Sequence, residues 1–268
     1  MGHTGRMRIA VVGHVEWVEF ARVERMPPAG EIAHAYDGWE EPGGGGAVAA
    51  VELARLGASV EFFTALGDDD LGHRAEERLA ASGVQMHVQH REGPTRRALT
   101  LIDPSGERTI ITLGEKLLPA GPLADLGAFA AVDFVSGDTA ALRSAREAPI
   151  VVATARELTI LREARVRLDA LVGSGNDAAE RYEPGDLDPP PNVVVTTFGA
   201  RGGRVEPGGA AFDAAPLPGP VADAYGCGDS FTAGLAYALA GGAELAQALD
   251  LAARCGATAL TRRGAHGV

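Results

Sequence analysis

From residue 130 to residue 261, short β-branched runs alternate with helical stretches, and few folds accept a chain patterned this way. Strands are predicted at 132–136, 150–153, 170–172 and 193–197, with helices at 139–147, 160–167, 229–240 and 244–261. Such alternation gives a mostly parallel sheet with helices packed on both faces. The N-terminal half adds an apolar strand at 8–13, a second strand at 59–65, and helices at 47–57 and 71–82 closed by Gly57 and Gly83. Two other stretches read as extended. Residues 14–36 mix short extended pieces with Pro27, Pro28 and Gly30, and 97–102 with 107–112 form a hairpin around Asp103-Pro-Ser-Gly106. The polar, proline-rich stretch 183–191 reads as a loop, and all 268 residues read as one unit.

Aromatic residues make up only 5% of the chain while Ala and Gly abound, so the core is built from Ala, Val and Leu and its helices approach closely. A net charge of −12 repels phosphate backbones and argues against a nucleic-acid partner. No apolar run approaches the roughly 18 residues of a membrane span, and the apolar stretch 7–13 is too short for an export signal. The expectation is a cytoplasmic protein whose two cysteines, Cys227 and Cys255, are free thiols.

The segment Val221-Ala-Asp-Ala-Tyr-Gly-Cys-Gly-Asp-Ser-Phe231 carries the chemistry. Its center, Gly226-Cys227-Gly228-Asp229, opens a long helix. The first turn of a helix presents N–H groups without intrahelical acceptors and a partial positive charge. Small residues there let a phosphate reach the backbone. Donors aimed at a phosphoryl group in transfer stabilise its equatorial oxygens, and a carboxylate beside them can take the proton of an attacking hydroxyl.

This segment resembles the C-terminal signature of the ribokinase-like (PfkB) sugar kinases, usually written DTTGAGDSF. Pro42-Gly-Gly-Gly-Gly-Ala-Val-Ala-Ala50, running on to Gly57, resembles their N-terminal signature. Thr64-Ala-Leu-Gly-Asp-Asp-Asp-Leu-Gly72, Asp103-Pro-Ser-Gly-Glu-Arg-Thr109 and Thr197-Phe-Gly-Ala-Arg-Gly202 are similar to further family segments, in the family's order along nearly the whole chain. The resemblance implies a three-layer α/β sandwich with a mostly parallel sheet and a small β lid built from about 14–40 and 95–113. It implies transfer of a phosphoryl group from ATP, with Mg²⁺, to a hydroxyl of a sugar-like molecule. Carried over, it makes Asp229 the catalytic base and a substrate contact, and Gly226, Cys227 and Gly228 the anion hole. Thr197, Phe198, Gly199, Ala200, Arg201 and Gly202, with Gly228, become the nucleotide site, and Gly44 and Gly45 the substrate-side turn. Asp223 falls where several members help hold a monovalent cation such as K⁺, and many members pair as homodimers through the lid.

The chain departs from the family at several points. Val48 stands in place of a sugar-contacting Asn, and the first-strand Asp falls near Val18, leaving Glu16, Glu19, His14 and Trp17 as neighbours, of which Glu16 is taken as the substrate contact. The Asn-x-x-Glu pair that organises Mg²⁺ through water falls on Ser174 and Asp177, with Asn176 and Glu180 out of register. Ala253 replaces an Asn near the nucleotide, and Cys227 stands for an Ala, either as a small packing residue or as a thiolate favoured by the helix start. Arg96 and Arg97 are either solvated or placed to pair with a substrate phosphate. The expectation is therefore an active sugar kinase. The alternatives are a nucleoside kinase, for which Trp17, Trp39 and Phe20 would supply stacking, and a binding protein that has lost catalysis.

Overall fold

The structure, a computed structural model, describes residues 5–267. Strand β1 (Arg8–Val12) leads into β2 (Glu16–Arg22) and β3 (Asp37–Gly43), then α1 (Gly45–Arg55), β4 (Ser59–Gly67), α2 (Asp70–Ala81) and β5 (Val84–Arg91). The hairpin β6 (Arg97–Ile102) and β7 (Arg108–Leu113) follows. Beyond it come β8 (Ala131–Phe134), α3 (Thr139–Ala145), β9 (Val151–Thr154), α4 (Leu158–Ala164), β10 (Ala170–Ser174) and β11 (Val193–Thr197). The chain ends with β12 (Gly203–Glu206), β13 (Ala210–Phe212), α5 (Cys227–Ala240) and α6 (Leu245–Ala259).

Nine strands form the main sheet in the order β13-β12-β11-β10-β9-β8-β1-β4-β5. Pairing is parallel from β11 to β5, and β12 and β13 add an antiparallel edge. β1 shows why its sequence is a continuous apolar run: Ile9 and Val11 face α1, α2 and the first half of α5, while Ala10 and Val12 face α3 and α4. A strand covered on both faces has no polar side to display. α5 and α6 pack on the same face as α1, over Val152, Ala170 and Val172. They meet through small residues, since a Cβ on Gly234 would lie 2.8 Å from Cys255 Sγ.

The second sheet has the order β3-β2-β6-β7. Its inner face places Val18, Phe20, Ala98 and Ile102 against Val48, Tyr225 and Ala265. β3 runs directly into the glycine turn before α1, so this small sheet and the turn move as one piece of backbone.

Boundaries differ from the sequence reading for local reasons. α4 starts two residues earlier than predicted and stops at Ala164, because Arg165 takes a left-handed conformation (φ 56°) that ends the helix before β10. β5 carries no apolar run to reveal it: as the edge strand it is half-exposed along most of its length. The short β12–β13 hairpin is likewise partly exposed.

Candidate active site

The sheet order marks where a ligand can sit. The chain adds β4 and β5 on one side of β1, then returns to place β8 on the other side. At such a reversal the connections leave toward opposite faces, and a crevice opens beyond the C-terminal ends of the two strands. His14 follows β1 and Ser136 follows β8, and His14 Nδ1 lies 2.9 Å from Ser136 Oγ across that crevice.

The glycine turn and α5 close the same crevice. A Cβ on Gly45 would lie 2.6 Å from Asp229 Oδ1 and 2.8 Å from Val135 Cγ1, so any larger residue there displaces the carboxylate. Gly44 donates its N–H to Tyr225 Oη at 2.8 Å, tying the turn to the loop that precedes α5. Gly226 has φ 70° and serves as the N-cap of α5, and a Cβ there would press on Val48. Its carbonyl accepts the Ser230 N–H at 2.9 Å, the first bond of the helix. Cys227 and Gly228 thus form the opening turn, and nothing lies within 4 Å of where a Gly228 Cβ would stand.

Asp229 sits in that turn with its carboxyl pushed up to about 6. Burial is the main cause and the Glu180 carboxylate adds to it, while Arg108, Arg156 and Lys116 oppose both. Burial also raises the Cys227 thiol, against the pull of Arg108. The helix start does not make it a thiolate, and Cys227 is a small neutral packing residue.

Glu16 is buried at the start of β2, with Arg96 Nη1 3.3 Å from its carboxylate. Burial raises Glu16, and Arg96 and Lys116 hold the rise back. Burial, then Lys116, Arg96 and Arg156, keep His14 well below the usual histidine range, so its approach to Glu16 at 3.7 Å is a contact of a neutral ring. Lys116, bonded to Glu157 at 2.7 Å, acts on His14, Glu16 and Asp229 alike and lies at their common rim. Arg97 and Glu19 pair with each other on the opposite face of the small sheet.

Val18 and Val48 stand where the resembled family carries an Asp and an Asn, and the two positions are apolar together. Val18 and Val48 belong to one apolar cluster with Tyr225 and Phe20. Trp17 and Phe20 are buried, Trp17 under the guanidinium of Arg74 and Phe20 against Trp39 at a centroid distance of 4.8 Å. Neither ring has a face free for a base.

Farther along the strand ends, Phe198 packs on Gly175 and donates its N–H to Gly202 O at 2.7 Å, closing the loop from Thr197 through Gly199, Ala200 and Arg201. Ala253 is buried under α5 and has only packing neighbours. Of the carboxylates after β10, Asp177 spends both oxygens, one on Ala179 N and one on Arg156. Glu180 accepts from Ser174 N at 2.9 Å and from Arg156, and is the carboxylate that acts on Asp229. Asp223 is fully buried, with one oxygen accepting Tyr225 N at 3.0 Å and the other Gly264 N at 2.8 Å.

Sequence reading did not single out Lys116, Arg156, Arg108 or Ser136. They come from the start of β7 and from three different connections, and only the fold brings those together.

The chain matches the profile described as pfkB family carbohydrate kinase over residues 6–147 and 136–267. It is 28% identical to the ATP-dependent ribose-1-phosphate kinase of Halopiger xanaduensis, with 97% of this chain and 94% of that one covered. With the ribokinase of Bacillus subtilis it shares 26% identity at the same coverage. Among solved structures, the nucleoside kinase of Methanocaldococcus jannaschii superposes with a TM-score of 0.78 at 19% identity, covering 98% of this chain and 94% of that one. The family match along both halves, in a ribokinase-like fold whose switch-point crevice holds the glycine turn and Asp229, shows that this chain belongs to the pfkB family of carbohydrate kinases, which transfer a phosphoryl group from ATP to an alcohol group.

Proposed function

We propose that Asp229 takes the proton of the acceptor hydroxyl while the N–H groups of the Gly226–Gly228 turn hold the phosphoryl group in transfer. The observation that carries this is the placement of Asp229 in the first turn of α5, in contact with Gly45 at the sheet's switch point. A carboxyl at about 6 is ionised at neutral pH yet basic enough to accept a proton. The 197–202 loop and Gly228 form the nucleotide side, and Gly44, Gly45 and Glu16 the acceptor side. The small sheet is the lid, in a chain that works as one unit.

Asp177 and Glu180 each accept one backbone N–H and one Arg156 bond, and Glu180 is the one whose charge reaches Asp229, so a hard cation is placed at Glu180. A magnesium ion neutralises phosphate oxygens of the nucleotide and keeps most of its water; Glu180 would hold it through that water. Asp223 is satisfied by two backbone N–H groups, which accounts for its burial. Its arrangement does not ask for a monovalent cation, and its role is to tie the glycine loop to the C-terminal segment.

The acceptor is a sugar or phosphosugar rather than a nucleoside. Val18 and Val48 remove the usual polar pair, and the remaining polar groups at the rim are Glu16, His14, Arg96 and Lys116. Buried Trp17 and Phe20 offer no stacking face. The names of the Halopiger and Bacillus relatives support the same class. Two free thiols fit a reducing compartment such as the cytoplasm.

The test is ADP release from ATP and Mg²⁺ across pentoses, hexoses, phosphosugars, polyols and nucleosides. One acceptor class should respond, and Asp229→Asn should lose about 10²- to 10⁴-fold. An unchanged rate in that variant would remove Asp229 from the mechanism. ATP binding without turnover on any acceptor would favour the non-catalytic reading.

A further inference from the structure

The main sheet ends at β5, and there, on the far side of β4 from the switch point, three ligand-bearing side chains converge. Asp68 follows β4, His73 lies near the start of α2 and His90 lies near the end of β5. We propose that Asp68, His73 and His90 bind a divalent transition-metal ion of the zinc class.

Backbone bonds hold the three in place. Asp68 donates its N–H to Arg91 O at 3.0 Å, which prolongs the β4–β5 ladder and fixes Asp68 beside His90. Asp69 caps α2 through Gly72 N at 2.8 Å and accepts from Thr95 N and Thr95 Oγ1, so the start of α2 is anchored on both sides of it. His73 donates its N–H to Asp69 O at 3.1 Å, which seats its ring in that anchored turn.

The distances match a small coordination sphere. His73 Nε2 lies 3.2 Å from Asp68 Oδ1, and one donor atom from each of the three residues lies within 4.8 Å of the others. Zinc bonds of about 2.0–2.2 Å in tetrahedral geometry set ligands roughly 3.3–3.5 Å apart. Small side-chain rotations of exposed residues close the remaining gap. Glu76 Oε2 stands 3.4 Å from His90 Nε2 and supplies a fourth ligand, directly or through water. Two imidazoles with carboxylate suit zinc, whereas magnesium and calcium take oxygen ligands. The ion would clamp α2 to the edge strand. α2 also carries Arg74, which covers Trp17 and bonds Glu40 of the small sheet, so the clamp stiffens the support of that sheet. None of this depends on the kinase reading.

Equilibrium dialysis of the full chain against Zn²⁺ tests the site, with Asp229→Asn and the His73→Ala/His90→Ala double variant in parallel. The wild type and Asp229→Asn should each hold one zinc, and the double variant should bind about 100-fold more weakly. Equal binding by the folded double variant would assign the zinc to other groups, such as the thiols, and overturn the proposal. So would a wild type that retains no zinc at roughly 100 μM, where a site this weak would leave the fold unstabilised. Should the double variant fail to fold, His90→Gln alone, on an exposed ring, reads the same two outcomes.

Discussion

Burial of Asp229 in the first turn of α5 and the Glu180 carboxylate both oppose its ionisation, and three cations pull the other way to leave it at about 6. A base must be ionised to work, so activity should rise with pH through about 6 and then level off. Below that point kcat/KM should fall about tenfold per pH unit. Glu180→Gln removes a like charge and frees Arg156, and both changes move the acid limb to lower pH. Arg156→Ala removes a favourable charge and moves it to higher pH. A pH–rate profile of the three proteins checks the signs, and an upward shift in Glu180→Gln would contradict the electrostatic account. At this scale the sequence was legible where the backbone itself sets the chemistry: Gly226 before Asp229 is readable because no other residue fits a φ of 70° against Val48. Glu180 was readable only as an out-of-register match, because the register of a loop after β10 is set by its bond to Ser174 and not by spacing.

Strand β8 contains an anomaly that no strand pattern reveals. Asp133 sits in its middle, between Val11 and Val152, fully buried, with neither carboxyl oxygen bonded. In the sequence a single Asp in a β-branched run reads as the polar side of a half-exposed strand; only the helices on both faces make it internal. Burial, with Asp229 nearby, holds Asp133 well above the usual carboxylate range. A carboxyl raised on folding favours the native state below its unfolded value near 3.9, and that advantage is lost as pH rises toward the folded value. The loss is about 1.4 kcal/mol per pH unit. Denaturant titrations of the wild type and Asp133→Asn at about pH 5 and 7 isolate this contribution, because the buried histidines, lowered by burial, act in the opposite direction equally in both proteins. Asp133→Asn, with nothing to ionise, should lose less stability than the wild type between the two pH values. Identical slopes would mean that Asp133 carries its charge inside the fold.

For the whole molecule, the alternation of strands and helices was legible because most buried parallel strands are largely runs of apolar residues, as in β1. The edges were not: β5, β12 and β13 face solvent on one side and look like loops. The small sheet raises the opposite question, because its outer strand is apolar where an edge should be polar. β7 is the end strand of that sheet, and Ile110, Ile111 and Leu113 are 41%, 49% and 48% exposed. A long apolar edge with free backbone donors and acceptors invites another strand unless something covers it. A second copy of this chain, pairing small sheet to small sheet, would satisfy both the backbone and the isoleucines through one self-complementary contact. Sedimentation should then show a dimer of the 27.6 kDa chain that dissociates on dilution. Ile111→Lys places a charge on the seam and should shift the equilibrium to monomer with the melting temperature of the monomer unchanged, since residue 111 supports no core contact. A wild type that sediments as a monomer at every concentration would leave β7 to be covered by the closing of the lid over its own substrate, and Ile111→Lys would then raise KM instead of changing mass.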